Sequence, residues 1–195
     1  EATYMQELIE FFKMYDIDLT IDECQKVIGV DSRLFNDIVY SWWQNKTSKD
    51  EFIIILNHYY DSIERDYKAI LKPYVVSLLE YLKENHYKIA LASSSSERLI
   101  DKALTTSGII DYFDLITSGN SFKQSKPHPE IYLYVIEKLH ITKKEALIIE
   151  DSTPGIQAAI NAGIDVIAVK DDRFSIDQSQ ANHIIGDIID VKKYI

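Results

Sequence analysis

The sequence contains little of what stabilises secreted or membrane proteins. Its 195 residues include one cysteine, Cys24, so no disulfide can form within the chain. Unpaired cysteine is typical of a reducing compartment, and we expect a cytoplasmic protein. No apolar run reaches the length of a transmembrane helix, which argues against insertion in a membrane. No glycine-rich P-loop occurs, which argues against the common class of enzymes that bind nucleoside triphosphates.

Positive charge is also scarce. The 21 Lys and Arg residues stand against 31 Asp and Glu residues, which gives a formal net charge of −10 at pH 7. A chain this acidic repels polyanions at long range, so we expect no nucleic-acid partner and no binding to anionic membranes. A small anionic substrate can bind only where positive charge is concentrated in the site. We expect a monomer or a weak oligomer.

The hydrophobic pattern changes near Pro73. Before it the periodicity is helical, and an apolar stripe at i, i+3, i+4 and i+7 is formed by Leu8, Phe11, Phe12 and Tyr15. Further helices are predicted over 35–43 and 49–67. After Pro73, helices alternate with short apolar strands, which are predicted at 88–92, 113–117, 146–149, 166–169 and 183–185. This alternation indicates a parallel sheet covered on both faces. We therefore predict an α/β fold, with a helical domain over residues 1–70 and an α/β core domain over residues 71–195.

Serines follow the first predicted strand, at a position where open parallel sheets bind ligands. The run Ser93-Ser94-Ser95-Ser96 joins this strand to a helix. A strand-to-helix junction offers free backbone N–H groups and the positive end of a helix dipole to a phosphate, and a serine hydroxyl can donate to it as well. Simple helix capping by serine is the competing interpretation.

A proline-rich loop presents the second polar cluster, Ser125-Lys126-Pro127-His128-Pro129. The two prolines restrict the backbone on both sides of His128 and open a helix. Such a loop can aim Lys126 at a phosphate as a fixed positive charge, and a surface lysine in a turn is the competing interpretation. We interpret His128 as a loop or capping residue. We expect Lys126→Ala to lower turnover strongly and to leave the melting temperature almost unchanged or to raise it.

Two adjacent acids, Glu150 and Asp151, end the predicted strand over 146–149. Neighbouring carboxylates at a buried strand end repel each other and are costly to desolvate unless a cation neutralises them. Mg²⁺ binds one or two carboxylates and completes its coordination with water and substrate oxygens. An acidic strand end facing water is the competing interpretation. The three clusters together predict a site for phosphoryl chemistry.

In these motifs the chain resembles the haloacid dehalogenase superfamily, in its β-phosphoglucomutase-like phosphatase subgroup with a helical cap near the N-terminus. The resemblance rests on the serine run after the first strand, on Lys126-Pro127-His128-Pro129-Glu130, and on Glu150-Asp151-Ser152-Thr153-Pro154-Gly155, in this order and spacing. It implies a HAD-like Rossmannoid parallel sheet and an enzyme that hydrolyses a small phosphorylated metabolite, such as a sugar phosphate, with Mg²⁺.

The resemblance also implies a role for each site residue. Ser93 would bind the transferring phosphate through its hydroxyl, and the backbone N–H of Ser94 would assist. Lys126 would neutralise the phosphate and the nucleophile. Glu150 and Asp151 would hold Mg²⁺, directly or through water.

The family's Asp-x-Asp-Gly motif, which supplies the nucleophile and the general acid/base, does not occur in this sequence. We expect it on a first core strand that precedes Glu1, between the strands over 88–92 and 146–149. These two strands should therefore not hydrogen-bond to each other. A noncatalytic binding relative is one alternative. A phosphosugar mutase is another, but mutases carry a His after an aromatic residue in the first cap helix, where Met5 follows Tyr4 here.

Overall fold

The computed structural model describes residues 2–173 and 176–195, which form two compact units. One unit ends at Arg65 and the other begins at Asp66, so the division falls slightly before residue 70. Asp66 begins a local turn, because its carboxylate accepts hydrogen bonds from the backbone N–H groups of Lys68 and Ala69 at 3.1 and 3.0 Å. Within the described part of the chain, no helix is both long and apolar enough to cross a membrane.

The first unit is helical, as expected. Its helices are α1 (Ala2–Lys13), α2 (Ile21–Gln25), α3 (Ser32–Trp42) and α4 (Lys49–Ser62). The last three begin at side chains that accept a hydrogen bond from the first helical turn, namely Thr20, Asp31 and Ser48. Helix α4 ends at Ser62 rather than near residue 67, because Ile63 adopts an extended backbone.

Aromatic rings fill the core of this unit. The rings of Phe11 and Trp43 stack with centroids 5.9 Å apart, and Trp43 lies 4.9 Å from Phe52. The indole N–H of Trp43 donates to Oγ1 of Thr47 at 2.9 Å, so the buried polar edge of the ring is satisfied. The predicted stripe is confirmed for three of its members, which are almost fully buried: Leu8, Phe11 and Phe12.

A buried ion pair joins the two ends of this unit. The Arg65 guanidinium donates to Glu7 from Nε at 2.8 Å and from Nη2 at 2.6 Å. The side chains are only 3% and 9% exposed. Arg65 also lies over the rings of Tyr4 and Tyr60, at 4.8 and 5.5 Å from their centroids. The last residue of the unit is thereby fixed to its first helix.

The second unit alternates helices and strands. In chain order these are α5 (Val75–Glu84), β1 (Ala90–Ser93), α6 (Glu97–Ser107), β2 (Leu115–Ser118), α7 (Glu130–Leu139), β3 (Leu147–Glu150), α8 (Thr153–Ala162), β4 (Asp165–Val169) and β5 (His183–Ile185). Short 3₁₀ turns occur at Ile110–Tyr112, Gly119–Ser121, Lys143–Glu145 and Ile188–Lys193. The described strand pairs are all parallel, which confirms the predicted α/β class.

The sheet consists of two parts. Strand β1 pairs with β2, and β4 pairs with both β3 and β5, but β1 and β3 do not pair with each other among the described residues. This confirms the expectation for the strands predicted over 88–92 and 146–149. The central strand β4 has four buried residues out of five, whereas no residue of β1 or β3 is fully buried. The strands that border the gap are therefore less protected than a strand paired on both edges.

Alternation along β4 shows how the sheet is covered. Val166 and Ala168 pack into a core with α7 and α8, while Ile167 and Val169 pack against Leu78 of α5 on the opposite face. Successive side chains of a strand point to opposite faces, so a continuous apolar run requires cover on both sides. This arrangement places the carboxyl ends of the strands at one edge, where the polar clusters follow them.

We predict that Arg65→Met lowers the free energy of unfolding by about 3–5 kcal/mol, because it leaves the Glu7 charge buried without its partner. Urea unfolding monitored by tryptophan fluorescence measures the change. The control is Lys49→Met, which removes the exposed ion pair with Asp37 and should cost at most about 1 kcal/mol. Equal effects of the two variants would show that burial does not strengthen the Arg65–Glu7 pair.

Candidate active site

Lys126 joins the two parts of the sheet at their carboxyl ends. The residue lies in the loop between β2 and α7, and its ammonium donates to the backbone carbonyl of Ala92 in β1 at 3.1 Å. The same ammonium donates to Oε1 of Glu150 in β3 at 2.5 Å. Lys126 thus contacts Ala92, which precedes Ser93, and Glu150, which precedes Asp151. The loop therefore brings the three predicted clusters close together.

Glu150 is enclosed by hydrogen-bond donors. Its Oε1 accepts from Lys126 and from the Tyr132 hydroxyl, and its Oε2 accepts from the Ser152 hydroxyl at 3.1 Å and from the Asp151 N–H at 3.2 Å. Burial disfavours the charge, but the Lys126 ammonium and the hydrogen bonds from Lys126 and Tyr132 outweigh it and lower the pKa of Glu150. Glu150 is therefore held as a carboxylate.

This burial changes the expected role of Lys126. The side chains of Lys126 and Glu150 are 7% and 9% exposed. Removing Lys126 alone would leave an uncompensated buried charge, which is strongly destabilising. The expectation that Lys126→Ala leaves the melting temperature almost unchanged or raises it is therefore withdrawn. Lys126 stabilises the fold as well as placing a positive charge at the site.

Asp151 differs from Glu150 in its hydrogen bonds and in the direction in which its pKa is shifted. Its carboxylate accepts no hydrogen bond from the residues that the structure describes. Burial, reinforced by the nearby Glu150 charge, raises the pKa of Asp151, although the Lys72 and Lys126 ammonium groups oppose the shift. A desolvated carboxylate that lacks donors is suited to a cation.

The acidic pair fits a magnesium ion only in part. Asp151 is free to provide an oxygen ligand, whereas both Glu150 oxygens already accept hydrogen bonds. Glu150 therefore fits an indirect role, in which it contacts the ion through a water or orients Lys126. Over the ranges 2–173 and 176–195, no group of three or more His, Cys, Asp or Glu side chains is placed to hold a metal. Mg²⁺ at Asp151 would therefore need further oxygen ligands, from water, from substrate or from an additional carboxylate.

The serine loop is shaped by contacts with β2. Ser93 Oγ accepts a hydrogen bond from the Ser95 N–H at 3.1 Å, which leaves the Ser93 hydroxyl proton available to a ligand. The Ser118 hydroxyl donates to the Ser95 carbonyl at 2.6 Å. Ser96 is the residue before α6, but its side chain makes no capping hydrogen bond. Capping of α6 therefore does not account for the serine run.

The sequence interpretation missed the roles of four residues that organise the site. Tyr132 donates to Glu150, and Gly155 leaves the space that the Glu150 carboxylate fills. The buried Gln178 amide donates to the carbonyls of Asp151 at 2.8 Å and Val169 at 3.0 Å, which ties the ends of β3 and β4. Asn161 of α8 donates to the carbonyl of Pro127 at 2.9 Å and so holds the Lys126 loop.

His128 has the role expected for it. Its Nδ1 accepts a hydrogen bond from the backbone N–H of Glu130, at the start of α7, at 3.3 Å. The imidazole therefore caps α7 and is not aimed at the acidic pair.

A separate cavity of about 520 Å³ lies beside α6 and β2. Its lining combines apolar side chains such as Ile110, Ile116 and Phe122 with the acids Glu97 and Asp101, and it includes none of the predicted site residues. Negative charge at its rim would repel a phosphate. This cavity is therefore a poorer candidate for a phosphate site than the polar cluster around Lys126.

Comparison with known proteins agrees with this arrangement of helices and strands. Residues 2–169 match the family of haloacid dehalogenase-like hydrolases. The chain belongs to this family. The resemblance inferred from the motifs is thereby confirmed.

The relatives include phosphatases. The chain is 31% identical to the phosphorylated carbohydrates phosphatase of Thermotoga maritima over 169 residues, which cover 86% of this chain and 77% of that enzyme. It is 28% identical to the phosphoglycolate phosphatase of Nitrosococcus oceani, over 73% of this chain and 64% of that enzyme. The solved β-phosphoglucomutase of Clostridium difficile superposes with a TM-score of 0.77 at 26% identity, over 95% of this chain and 84% of that one. These likenesses confirm the predicted fold and an enzyme of the phosphatase type.

We predict that Gly155→Ala displaces the Glu150 carboxylate and destabilises the protein. The added methyl carbon would lie 2.1 Å from Glu150 Cδ and 2.3 Å from Oε1. Overpacking of this kind costs about 1–3 kcal/mol, which exceeds the gain of about 1 kcal/mol when Ala replaces Gly in a helix. Urea unfolding measures the net loss. Gly186→Ala is the control, since no heavy atom lies within 4 Å of its added methyl carbon. Wild-type stability of Gly155→Ala would show that Glu150 moves aside without cost.

We also predict that Asp151→Asn raises the free energy of unfolding at pH 7 in metal-free buffer. Because the folded pKa of Asp151 is raised, its neutral form stabilises the fold below the ordinary pKa of 3.8, and this contribution is lost as pH rises through the folded pKa. The advantage of Asn should therefore be absent in acid and complete at neutral pH. Added Mg²⁺ should stabilise the wild type more than Asp151→Asn.

Unfolding curves at several pH values, with Mg²⁺ or EDTA, measure both effects. Asp187→Asn serves as the control, since Asp187 is exposed and its side chain caps no helix. Equal stabilisation of the wild type and Asp151→Asn by Mg²⁺ would remove Asp151 from the metal site.

Proposed function

We propose that this chain forms the substrate-binding and charge-stabilising part of a Mg²⁺-dependent phosphomonoester hydrolase for small phosphorylated metabolites. The observation that carries the proposal is the position of the Lys126 ammonium, which lies between the strand end that leads into Ser93 and the strand end that carries Asp151. A fixed positive charge, hydroxyl and N–H donors and an unsatisfied carboxylate are the groups that phosphoryl transfer requires around its phosphate.

Each site residue has a chemical role in this proposal. The Ser93 hydroxyl and the Ser94 N–H donate to phosphate oxygens. Lys126 stabilises the negative charge on those oxygens and on the nucleophile, and Glu150 holds Lys126 in place. Asp151 would hold Mg²⁺ directly, and Glu150 would contact the ion through a water. A bound Mg²⁺ would neutralise phosphate charge.

The nucleophile is proposed to be an aspartate on a further strand that fills the gap between β1 and β3. Its carboxylate oxygen forms a bond to phosphorus while the bond to the substrate oxygen breaks, and the leaving oxygen takes up a proton from a second acid. The second acid, now a carboxylate, takes a proton from the water that attacks phosphorus, and the bond between phosphorus and the aspartate breaks, which releases inorganic phosphate and regenerates both groups. The gap itself supports this proposal, because the backbone groups of buried strand edges need partners.

A sugar phosphate is the proposed substrate class. The relative that supports it is named for phosphorylated carbohydrates, and a second relative is named for phosphoglycolate, which is a small phosphorylated acid. A cytoplasmic location belongs to the same proposal and is in keeping with the buried free thiol of Cys24.

A phosphosugar mutase is the alternative that the likeness to β-phosphoglucomutase raises. Met5 occupies the position after Tyr4 where mutases carry a histidine, and it is only 6% exposed within the helical unit. A buried thioether can transfer no proton, which favours hydrolysis. A panel of phosphomonoesters assayed on the full-length protein, with Mg²⁺ or EDTA, distinguishes phosphate release from isomer formation. Failure to release phosphate from any of them would favour the mutase or a binding protein.

We predict that Lys126→Met lowers kcat about 10²–10³-fold, the effect of removing one preorganised charge. The variant should also lose about 3–5 kcal/mol of stability, because the Glu150 charge stays buried. The double variant Lys126→Met with Glu150→Gln removes both charges, and it should regain much of the stability without regaining activity. Phosphate release and urea unfolding are measured on all forms.

The control for this prediction is Lys123→Met, since Lys123 is an exposed lysine of the same loop. It should retain the kcat and the stability of the wild type. Recovery of kcat in the double variant would show that Lys126 acts only by neutralising Glu150 in the fold.

A further inference from the structure

Tyr132 contacts both charges of the central ion pair. Its hydroxyl donates to Oε1 of Glu150 at 2.5 Å, the oxygen that also accepts from Lys126. The Lys126 ammonium lies 4.9 Å from the centroid of the Tyr132 ring. One side chain of α7 thus provides a donor for the anion and an aromatic face for the cation.

Core packing explains the ring of Tyr132 but not its hydroxyl. The side chain is 6% exposed and belongs to the apolar core formed by α7, α8 and β4. A phenylalanine would fill the same space without a polar group to desolvate. The hydroxyl instead donates to the Glu150 carboxylate, a charged group of the candidate site.

We propose that Tyr132 is a positioning residue for phosphoryl transfer, which holds Lys126 and Glu150 so that the ammonium remains available to the substrate phosphate. This inference rests on the proposed function. No bond is made or broken at Tyr132, and its effect on the substrate passes through Lys126.

The physical reason is competition for the Lys126 ammonium. A carboxylate oxygen that accepts one hydrogen bond binds its donor more strongly than an oxygen that accepts two binds either donor. The Tyr132 hydroxyl therefore reduces the hold of Glu150 on Lys126, and the ring face stabilises the ammonium at its site by a cation–π interaction. Gly155 leaves room for the carboxylate close to α8, where the Ser152 hydroxyl and the Asp151 N–H bind its second oxygen.

The test compares Tyr132→Phe with Tyr134→Phe in the full-length enzyme. Tyr132→Phe keeps the ring and removes only the hydroxyl. Tyr134→Phe makes the same change on the same helix, where the ring contacts Phe122 and Lys138 at 5.3 and 5.4 Å. We measure kcat and KM with a phosphomonoester substrate, the affinity for inorganic phosphate in EDTA by calorimetry, and the melting temperature.

Tyr132→Phe should lower kcat about tenfold, the value of one hydrogen bond to a charged group, and raise KM in step with the loss of phosphate affinity. Its affinity for inorganic phosphate should fall by roughly three- to tenfold, because Glu150 draws Lys126 away. Tyr134→Phe should match the wild type in both measurements. Tyr132→Leu, which also removes the ring, should lower kcat further.

Unchanged kcat and phosphate affinity in Tyr132→Phe, with only a lower melting temperature, would overturn the inference and leave Tyr132 a core residue. Equal losses in Tyr134→Phe would also overturn it, because the effect would then belong to α7 in general. If the wild type hydrolyses no phosphomonoester, the proposed function fails. Phosphate affinity would then still decide whether Tyr132 controls the availability of Lys126.

Discussion

The buried ion pair between Lys126 and Glu150 is the interaction on which the rest of the site depends. Both charges are withdrawn from water, and the penalty is several kcal/mol for each ion unless the remaining donors and acceptors are satisfied. The protein satisfies them with the Ala92 carbonyl for Lys126 and with Tyr132 and Ser152 for Glu150. The ends of β1 and β3, the Lys126 loop, α7 and α8 must all be in place for the pair to be stable.

This arrangement gives the two adjacent carboxylates, Glu150 and Asp151, different environments. The Glu150 carboxylate accepts hydrogen bonds on both oxygens and its pKa is lowered. The Asp151 carboxylate accepts none from the described residues and its pKa is raised. Environments that move the pKa values of neighbouring titratable groups apart are typical of functional sites. Gln178 fixes the Asp151 backbone, so the unsatisfied side chain is nevertheless held in position.

The sequence predicted the elements and the residue types of the site, because both depend on local patterns. Apolar runs located the strands, although β1, β2 and β3 each end one residue later than predicted, so that Ser93 and Glu150 are strand residues. The role of Tyr132 could not be predicted, since a tyrosine at an apolar position of an amphipathic helix has the same pattern whether or not its hydroxyl meets a carboxylate. The burial of Lys126 was also missed, because a lysine in a loop has the same local pattern whether or not a carboxylate from a distant strand lies beside it.

The gap between β1 and β3 connects the fold to the chemistry. Lys126 satisfies one carbonyl of β1, that of Ala92, and does so only at the carboxyl end of the strand. The other backbone groups along the facing edges have no ladder between them in the described part of the chain. A strand that filled the gap would satisfy those groups, and in parallel orientation its own carboxyl end would lie beside Lys126 and Asp151. Such a strand would therefore also bring its terminal side chains to the candidate site, so the same contacts would serve both the stability of the core and the assembly of the site.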